Sequence, residues 1–362
     1  MRRTAALIVG GGPAGCAAAI ALARAGAAPE LLERSSGPRD VVCGGFLGWD
    51  ALAALSGLGV DPWALGARPI GRLRLIGAGR TVEARLPYRA AGLSRRRLDQ
   101  ALIAAAADAG ALVERGAAVR AVAGARRVRL DCGEERECEA LFLATGKHEL
   151  RGLARPRGRA EPAVGFRTAL PASADLARAL EGVIELHLFD GGYAGLLLQE
   201  DGSANLCISA SAERLRKAGG IQQLIAQLAL ELPSLQPRLG GASRPGSWEA
   251  IAGVPYGWRA RGTEAGVFRL GDQAAVIPSL AGDGIAIALV SGSHAAAAFL
   301  EQGPLGAASY QSGFSARAAR PLGIASTLRH AAENRALRSV LMPLFGFAPS
   351  LVPLAARLTR IS

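Results

Sequence analysis

The chain has 362 residues, half of them apolar, and carries a formal net charge of +12. That much apolar content can bury a large core, no segment needs to be disordered, and the length suits two intimately joined domains. Only two of the 42 basic residues are lysine (Lys147 and Lys217), the arginines are scattered, and no basic helix interleaved with aromatics occurs; this argues against nucleic-acid binding and leaves an acidic carrier or an anionic lipid surface as the partners a basic balance would favour.

Thr4 to Val9 is a short apolar run that reads as a strand and ends where Gly10-Gly11-Gly12-Pro13-Ala14-Gly15 begins. Pro13 suits the first turn of a helix, and Cys16 to Ala25 is an alanine-rich helical stretch. Gly10 allows the tight turn, Gly12 lets the backbone approach a pyrophosphate, and Gly15 lets the helix pack closely on the strand, so that phosphates sit over the positive end of the helix dipole. A second strand, Pro29 to Leu32, ends at Glu33, where an acid accepts hydrogen bonds from ribose hydroxyls and disfavours a 2′-phosphate. Together these elements point to FAD or NAD rather than NADP.

Further along, Ser94 reads as the N-cap of a helix with Leu98, Leu102 and Ile103 on one face. Strand-like segments at 111–115 and 116–122 continue the α/β alternation of a doubly wound sheet. An acidic hairpin turn, Cys132-Gly133-Glu134-Glu135, leads back into an apolar strand, Ala140 to Ala144, that stops at Thr145-Gly146. From Gly152 to Ala265 the texture changes to alternating strands at 163–169, 183–189, 195–199 and 205–209, with one helix near Ile221 to Glu231. This reads as a mainly antiparallel insertion carrying the substrate. Phe268-Arg269-Leu270-Gly271-Asp272 then returns to the nucleotide theme. The five cysteines are odd in number and lack metal-ligand spacing, which reads as reduced thiols in a cytoplasmic protein without a metal. Met1-Arg2-Arg3 and the apolar run after it have the outline of a signal peptide, but the glycine turn interrupts the run too early for export.

The set Gly10 to Gly15, Glu33-Arg34, Ser94-Arg95, Ala144-Thr145-Gly146, Gly271-Asp272-Gln273-Ala274-Ala275, Pro278 and Gly282-Asp283-Gly284 resembles the flavoprotein group containing para-hydroxybenzoate hydroxylase and the geranylgeranyl reductase family. The resemblance implies an α/β fold: a Rossmann-type FAD-binding domain (1–70, 92–155 and 262–303), an inserted antiparallel-sheet substrate domain (71–91 and 156–261) and a C-terminal helical segment (304–362). It implies FAD as the cofactor, with Asp272 on a ribityl hydroxyl and Arg95 near the flavin and pyrophosphate. Gly282 and Gly284 would open a helix, from Ile285, whose N-terminus faces the flavin N1 and O2 edge; reduced flavin is negative there, and backbone N–H groups with a helix dipole stabilise it. Arg34, Gly44, Val119, Thr145, Gly146 and Pro278 complete the implied cofactor set. Asp283, between the two glycines, either relays a proton or caps the helix, and the cap is favoured.

Val42-Cys43-Gly44-Gly45 resembles the cysteine-glycine-glycine motif that the reductase family places beside the isoalloxazine, and Phe189-Asp190-Gly191-Gly192-Tyr193-Ala194-Gly195 resembles its substrate-domain motif, with Gly195 at the tryptophan position. Cys43 and Tyr193 are therefore candidate catalytic residues. His187, on the strand leading into Tyr193, is the best placed of the four histidines to move a proton. Ala144 to His148 replaces the hydroxylases' interior Asp-Gly motif, and a WxWxIP segment of the flavin halogenases is lacking. The reading is an FAD-dependent oxidoreductase that reduces a carbon–carbon double bond of an apolar, polyketide- or isoprenoid-like substrate, free or carrier-bound, with NAD(P)H or a redox partner as electron donor. The alternatives are a flavin-dependent monooxygenase acting on a secondary metabolite, and a membrane- or carrier-associated flavin-binding module without turnover.

Ser339 to Ala356 contains no charge, and its 18 residues approach the ~20 that span a bilayer. Pro343, Pro349 and Pro353 interrupt it, which leaves core packing, a lid over an apolar pocket and peripheral membrane contact as its roles.

Overall fold

The computed structural model describes residues 2–124, 126–156, 163–241 and 248–361. The first strand, β1 (Arg2–Val9), is apolar because both of its faces are covered: Leu7 and Val9 enter one core cluster, Ala6 and Ile8 another. The chain turns into α1 (Pro13–Arg24) and returns as β2 (Glu30–Glu33), parallel to β1. Then come β3 (Phe46–Leu47), α2 (Trp49–Gly57), β4 (Arg68–Gly77), β5 (Arg80–Gly92) and α3 (Arg95–Asp108). Ser94 caps α3, its hydroxyl accepting the Arg97 N–H at 3.1 Å. β6 (Leu112–Arg115) adds to the parallel sheet beside β2. Helical alternation stops there: β7 (Val119–Ala123), β8 (Arg127–Leu130) and β9 (Glu135–Leu143) form an antiparallel meander whose last strand lies parallel to β1.

The insertion supplies β10 (Ala163–Leu170), α4 (Ala174–Leu180), β11 (Gly182–Phe189), β12 (Gly192–Leu198), β13 (Ala204–Ser211), α5 (Ala212–Ala218), α6 (Ile221–Glu231) and β14 (Glu249–Val254). β15 (Val267–Arg269), α7 (Gly284–Gln302), α8 (Gly306–Glu333), α9 (Arg335–Phe347) and α10 (Leu351–Leu358) follow. Among the described residues the strands form two sheets. The first, of seven strands, runs β6-β2-β1-β9-β8-β7, with β15 on the far end of β9; the second, of eight, runs β14-β10-β13-β12-β11-β4-β5-β3. Among the described residues, only β4 and β11 pair in parallel in the second sheet. β3 and the start of β4 belong to this second sheet although residues 1–70 read as cofactor domain, and α4 and α5 add helices to the insertion.

α1 is sandwiched between the first sheet and α7. Gly292 permits this, since a Cβ there would stand 2.2 Å from the Ala14 carbonyl oxygen. Phe142 of β9 stacks on Phe268 of β15 with ring centroids 4.7 Å apart, both fully buried, so truncating either to alanine would cost about 3–5 kcal/mol. Pro343 does not break α9; the helical pair instead bends by 115° between α9 and α10 and buries Met342, Phe345 and Val352 against β4, β5 and β11.

Beneath the second sheet lies an ionic hub. Glu185 is 1 % exposed and accepts Arg74 Nη1 at 2.6 Å and Arg238 Nη2 at 3.3 Å, and His187 Nε2 lies 3.2 Å from it. Burial raises its pKa, but the hydrogen bonds from His187, Arg238 and Arg74 outweigh burial and hold it at about 2 against an ordinary 4.5. A depressed carboxylate stabilises the fold above its unfolded pKa, and the contribution is lost as pH falls through the folded one. Glu185→Gln should therefore destabilise by ~3 kcal/mol at neutral pH. In denaturant titrations at a series of pH values, the gap to the wild type should close between 4.5 and about 2; a gap independent of pH would remove the charge as its source.

Candidate functional site

The carboxyl ends of β1, β2, β9 and β15 open onto a cavity of about 840 Å³, within the ~300–1,000 Å³ usual for small-molecule sites and at the place where doubly wound sheets bind ligands. It runs from Glu33, Arg34 and Val119, past Gly10 to Ala14 and Arg95, to Cys43 and Asp272, and on between the two sheets to Tyr193, Cys207 and Tyr256. All the expected cofactor residues line it except Gly15, Pro278 and Asp283.

Gly15 acts through packing. A Cβ there would stand 1.9 Å from the Gly10 carbonyl oxygen, so only glycine lets α1 rest on the end of β1. α1 starts from Gly12 with Pro13 at its first position and no side-chain cap, and Gly12, Pro13 and Ala14 line the cavity. α7 likewise has no side-chain cap, and Gly284 and Ile285 line the cavity. Asp283 is a correction on both counts: it neither lines the cavity nor caps α7. Its carboxylate accepts Arg360 Nη1 at 2.8 Å and the Ile361 N–H at 3.0 Å, and burial pushes it up to about 7 against the pull of Arg360. Pro278 is buried behind Ser279 and sets the turn.

Glu33 holds the glycine turn. Its Oε2 accepts the Gly11 N–H at 2.7 Å and its Oε1 the Ser35 N–H at 2.8 Å, which pins the glycine turn while each oxygen keeps a second lone pair. Arg34 Nη2 lies 2.7 Å from His148 Nε2, and burial followed by the Arg34 charge lowers the His148 pKa. Arg95 pairs with Asp99 through two contacts of 2.8 Å. Thr145 donates to the His148 carbonyl at 2.8 Å, and Gln273 Nε2 donates to the carbonyls of Gly146 (2.8 Å) and His148 (3.0 Å). The 145–148 turn is thereby stitched to the turn that carries Asp272.

Lys147 was not singled out for the site, yet its Nζ donates to Asp272 Oδ2 at 3.1 Å and Asp272 raises its pKa. Being one of two lysines in an arginine-rich chain was the available signal. Asn205 of β13 was missed too. Its Nδ2 donates to the Cys43 and Gly44 carbonyls at 3.0 and 2.8 Å, and Arg167 Nε donates to its Oδ1 at 2.8 Å, so the second sheet holds the Cys43 loop in place. The Cys43 thiol is half-buried and accepts the Gly45 N–H at 3.5 Å.

Tyr193 faces the cavity and donates to Ser279 Oγ at 2.6 Å; Tyr256 meets the same hydroxyl at 2.6 Å from the other side. Burial raises both phenol pKa values, and it pushes the Cys207 thiol up to about 12. His187 is withdrawn as a catalytic residue. It is fully buried in the Glu185 hub, with Nδ1 at 3.3 Å from Ser234, because alternation along β11 turns Ile184 and Leu186 to the cavity and His187 away.

A family model described as FAD binding domain matches residues 3–137. The chain is 30 % identical to a menaquinone reductase of Mycobacterium tuberculosis over 310 residues, covering 80 % of this chain and 75 % of that one. In fold it is similar to a geranylgeranyl bacteriochlorophyll reductase-like protein from Thermoplasma acidophilum (TM-score 0.77, 19 % identity, 96 % of this chain and 92 % of that one). It is also similar to 2-methyl-3-hydroxypyridine-5-carboxylic acid oxygenase (TM-score 0.72, 22 % identity, 99 % and 97 %).

The residues present fit an FAD: two helix N-termini without side-chain caps open onto one cavity, with Glu33 at one end and Asp272 partway along it. Asp272→Ala, which also strips Lys147 of its partner, should weaken FAD binding by at least about tenfold, or ~1.4 kcal/mol. Gly12→Asp should abolish it by placing a like charge against the pyrophosphate. Flavin absorbance per chain after gel filtration checks both.

Proposed function

Because this chain belongs to the FAD-dependent oxidoreductase superfamily that contains the menaquinone reductases, we propose that it reduces a carbon–carbon double bond in an apolar, isoprenoid- or polyketide-like acceptor. Menaquinone, an isoprenoid quinone, falls in that class. The observation that carries the proposal is the continuity of the cavity: the residues of the cofactor cradle line one cavity with Ile184, Leu186, Ile208, Val254 and Leu280, and with the hydroxyls of Tyr193, Tyr256 and Ser279. Such a wall takes up an apolar chain by area burial, at about 25 cal/mol per Å².

Bound FAD supplies the hydride once it has been reduced, in this proposal by NAD(P)H or a redox partner. The protein's residues do the rest. The first turn of α1 would hold the pyrophosphate, and Asp272 with Lys147 would hold the ribityl chain. Tyr193 and Tyr256 keep their protons at neutral pH because burial raises both, and Ser279 links them, so a proton lost from either phenol is replaced along the 2.6 Å contacts. Cys43 stands in the wall between cradle and chamber, its backbone fixed by Asn205.

The same proposal gives α9 and α10 a role at an anionic lipid surface, from which an apolar substrate would come. Residues 334–361 contain no acid, Phe347 is 91 % and Val340 69 % exposed, and Arg335 and Arg357 are exposed beside them. The buried side of α9 shares one apolar cluster with Ile184, Leu186 and Leu280 of the chamber wall. The protein should co-sediment with phosphatidylglycerol vesicles, and Phe347→Asp should weaken this by about tenfold or more; equal binding of the two would remove the surface.

Anaerobic photoreduction followed by candidate acceptors tests the reaction. Oxygen-free reoxidation by a polyprenyl alkene, with the saturated carbon–carbon bond found in the product by mass spectrometry, is the expected result; product formation that requires oxygen would make the enzyme a monooxygenase. Cys43→Ala should slow acceptor-dependent reoxidation by at least about tenfold with FAD still bound. Unchanged kinetics would reduce Cys43 to a wall residue.

A further inference from the structure

Asp283 occupies the N-cap position of α7, where an aspartate ordinarily accepts first-turn N–H groups. Here it accepts none of them. The carboxylate is fully buried and turned the other way, onto Arg360 Nη1 and the Ile361 N–H. Nor is the guanidinium loosely held: Nη2 donates to the Ala281 carbonyl at 3.1 Å, Nε to the Ala356 carbonyl at 3.0 Å, and the Trp49 ring centroid lies 4.5 Å away. Asp50 is the other charged group acting on Asp283, and it opposes ionisation.

A buried pair of this kind is weak evidence for stabilisation, since desolvation offsets the attraction. Its place in the fold gives it another use. The N–H groups that Asp283 leaves uncovered sit at the positive end of α7, where Gly284 and Ile285 line the cavity. We propose that Arg360 is a positioning residue of the cofactor site: by holding the Asp283 carboxylate away from the first turn of α7, it keeps that turn open to the anionic edge of reduced flavin. The inference rests on the FAD reading above. Without Arg360, the carboxylate regains the N-cap geometry and sets a negative charge against the edge that becomes negative on reduction. Oxidised flavin is affected less, so the signature is a difference between redox states rather than a uniform loss of binding.

The test compares the FAD-loaded wild type with Arg360→Ala, Arg360→Lys and the double variant Asp283→Ala/Arg360→Ala, using the flavin midpoint potential at a pH well above 7, with FAD affinity and far-UV circular dichroism alongside. Arg360→Ala should bind reduced FAD about ten-fold more weakly relative to oxidised FAD, a potential about 30 mV lower for a two-electron couple. The double variant lacks both cap and charge and should return to within about two-fold of the wild type, while lysine, charged but without the planar fork, should fall between. A potential in Arg360→Ala equal to the wild type, or a double variant as low as the single, overturns the proposal. Should Arg360→Ala not fold, the lysine and double variants carry the same comparison. A wild type that binds no FAD would instead remove the FAD reading itself.

Discussion

Two helices aim their N-termini at one cavity, and backbone contact fixes the direction of both. α1 lies so close to β1 that a single methyl at position 15 would overlap the Gly10 carbonyl, and α7 lies so close to α1 that a methyl at position 292 would overlap the Ala14 carbonyl. At these two points backbone rests on backbone, while around them Ile8, Ala17, Ala18 and Leu289 pack in one buried cluster. The two positive helix ends are therefore held at a set distance and angle, each worth roughly 0.3–2 kcal/mol toward a negative group. A dinucleotide whose pyrophosphate meets one end and whose ring gains charge near the other is the ligand that uses both.

The two sheets meet across this cavity through polar contacts made at particular residues. Asn205 reaches from the second sheet to the Cys43 loop, and Tyr193 reaches to Ser279 beside the α7 turn. Ile184, Leu186, Ile208, Val254 and Leu280 supply apolar wall beside them. Cys207, whose thiol burial pushes up to about 12, serves here as a small apolar surface.

Local signals in the sequence located much of this. The β1-α1-β2 unit follows from an apolar run, glycines, a proline and an acid within 33 residues, and the Ser94 cap from one hydroxyl before a helical pattern. What escaped depends on partners far along the chain. Asp283 looks like a cap from its neighbours alone, and only Arg360, 77 residues later, draws it away. His187 sits in an attractive position along the sequence, but strand alternation from the cavity-facing Ile184 and Leu186 turns it into the Glu185 hub. β3 is two residues long, too short to carry a periodicity, so its membership of the second sheet is visible only from its pairing with β5. Lys147 and Asn205 carry no motif at all; their roles arise where separate turns are brought together.

The central claim, that the paired helix ends form an FAD cradle, is tested most directly by equilibrium titration of the apoprotein with FAD and with NAD, followed by quenching of flavin fluorescence and by calorimetry. One FAD per chain, bound in strong preference to NAD, is the expected result. A protein that took up NAD stoichiometrically and rejected FAD would contradict it.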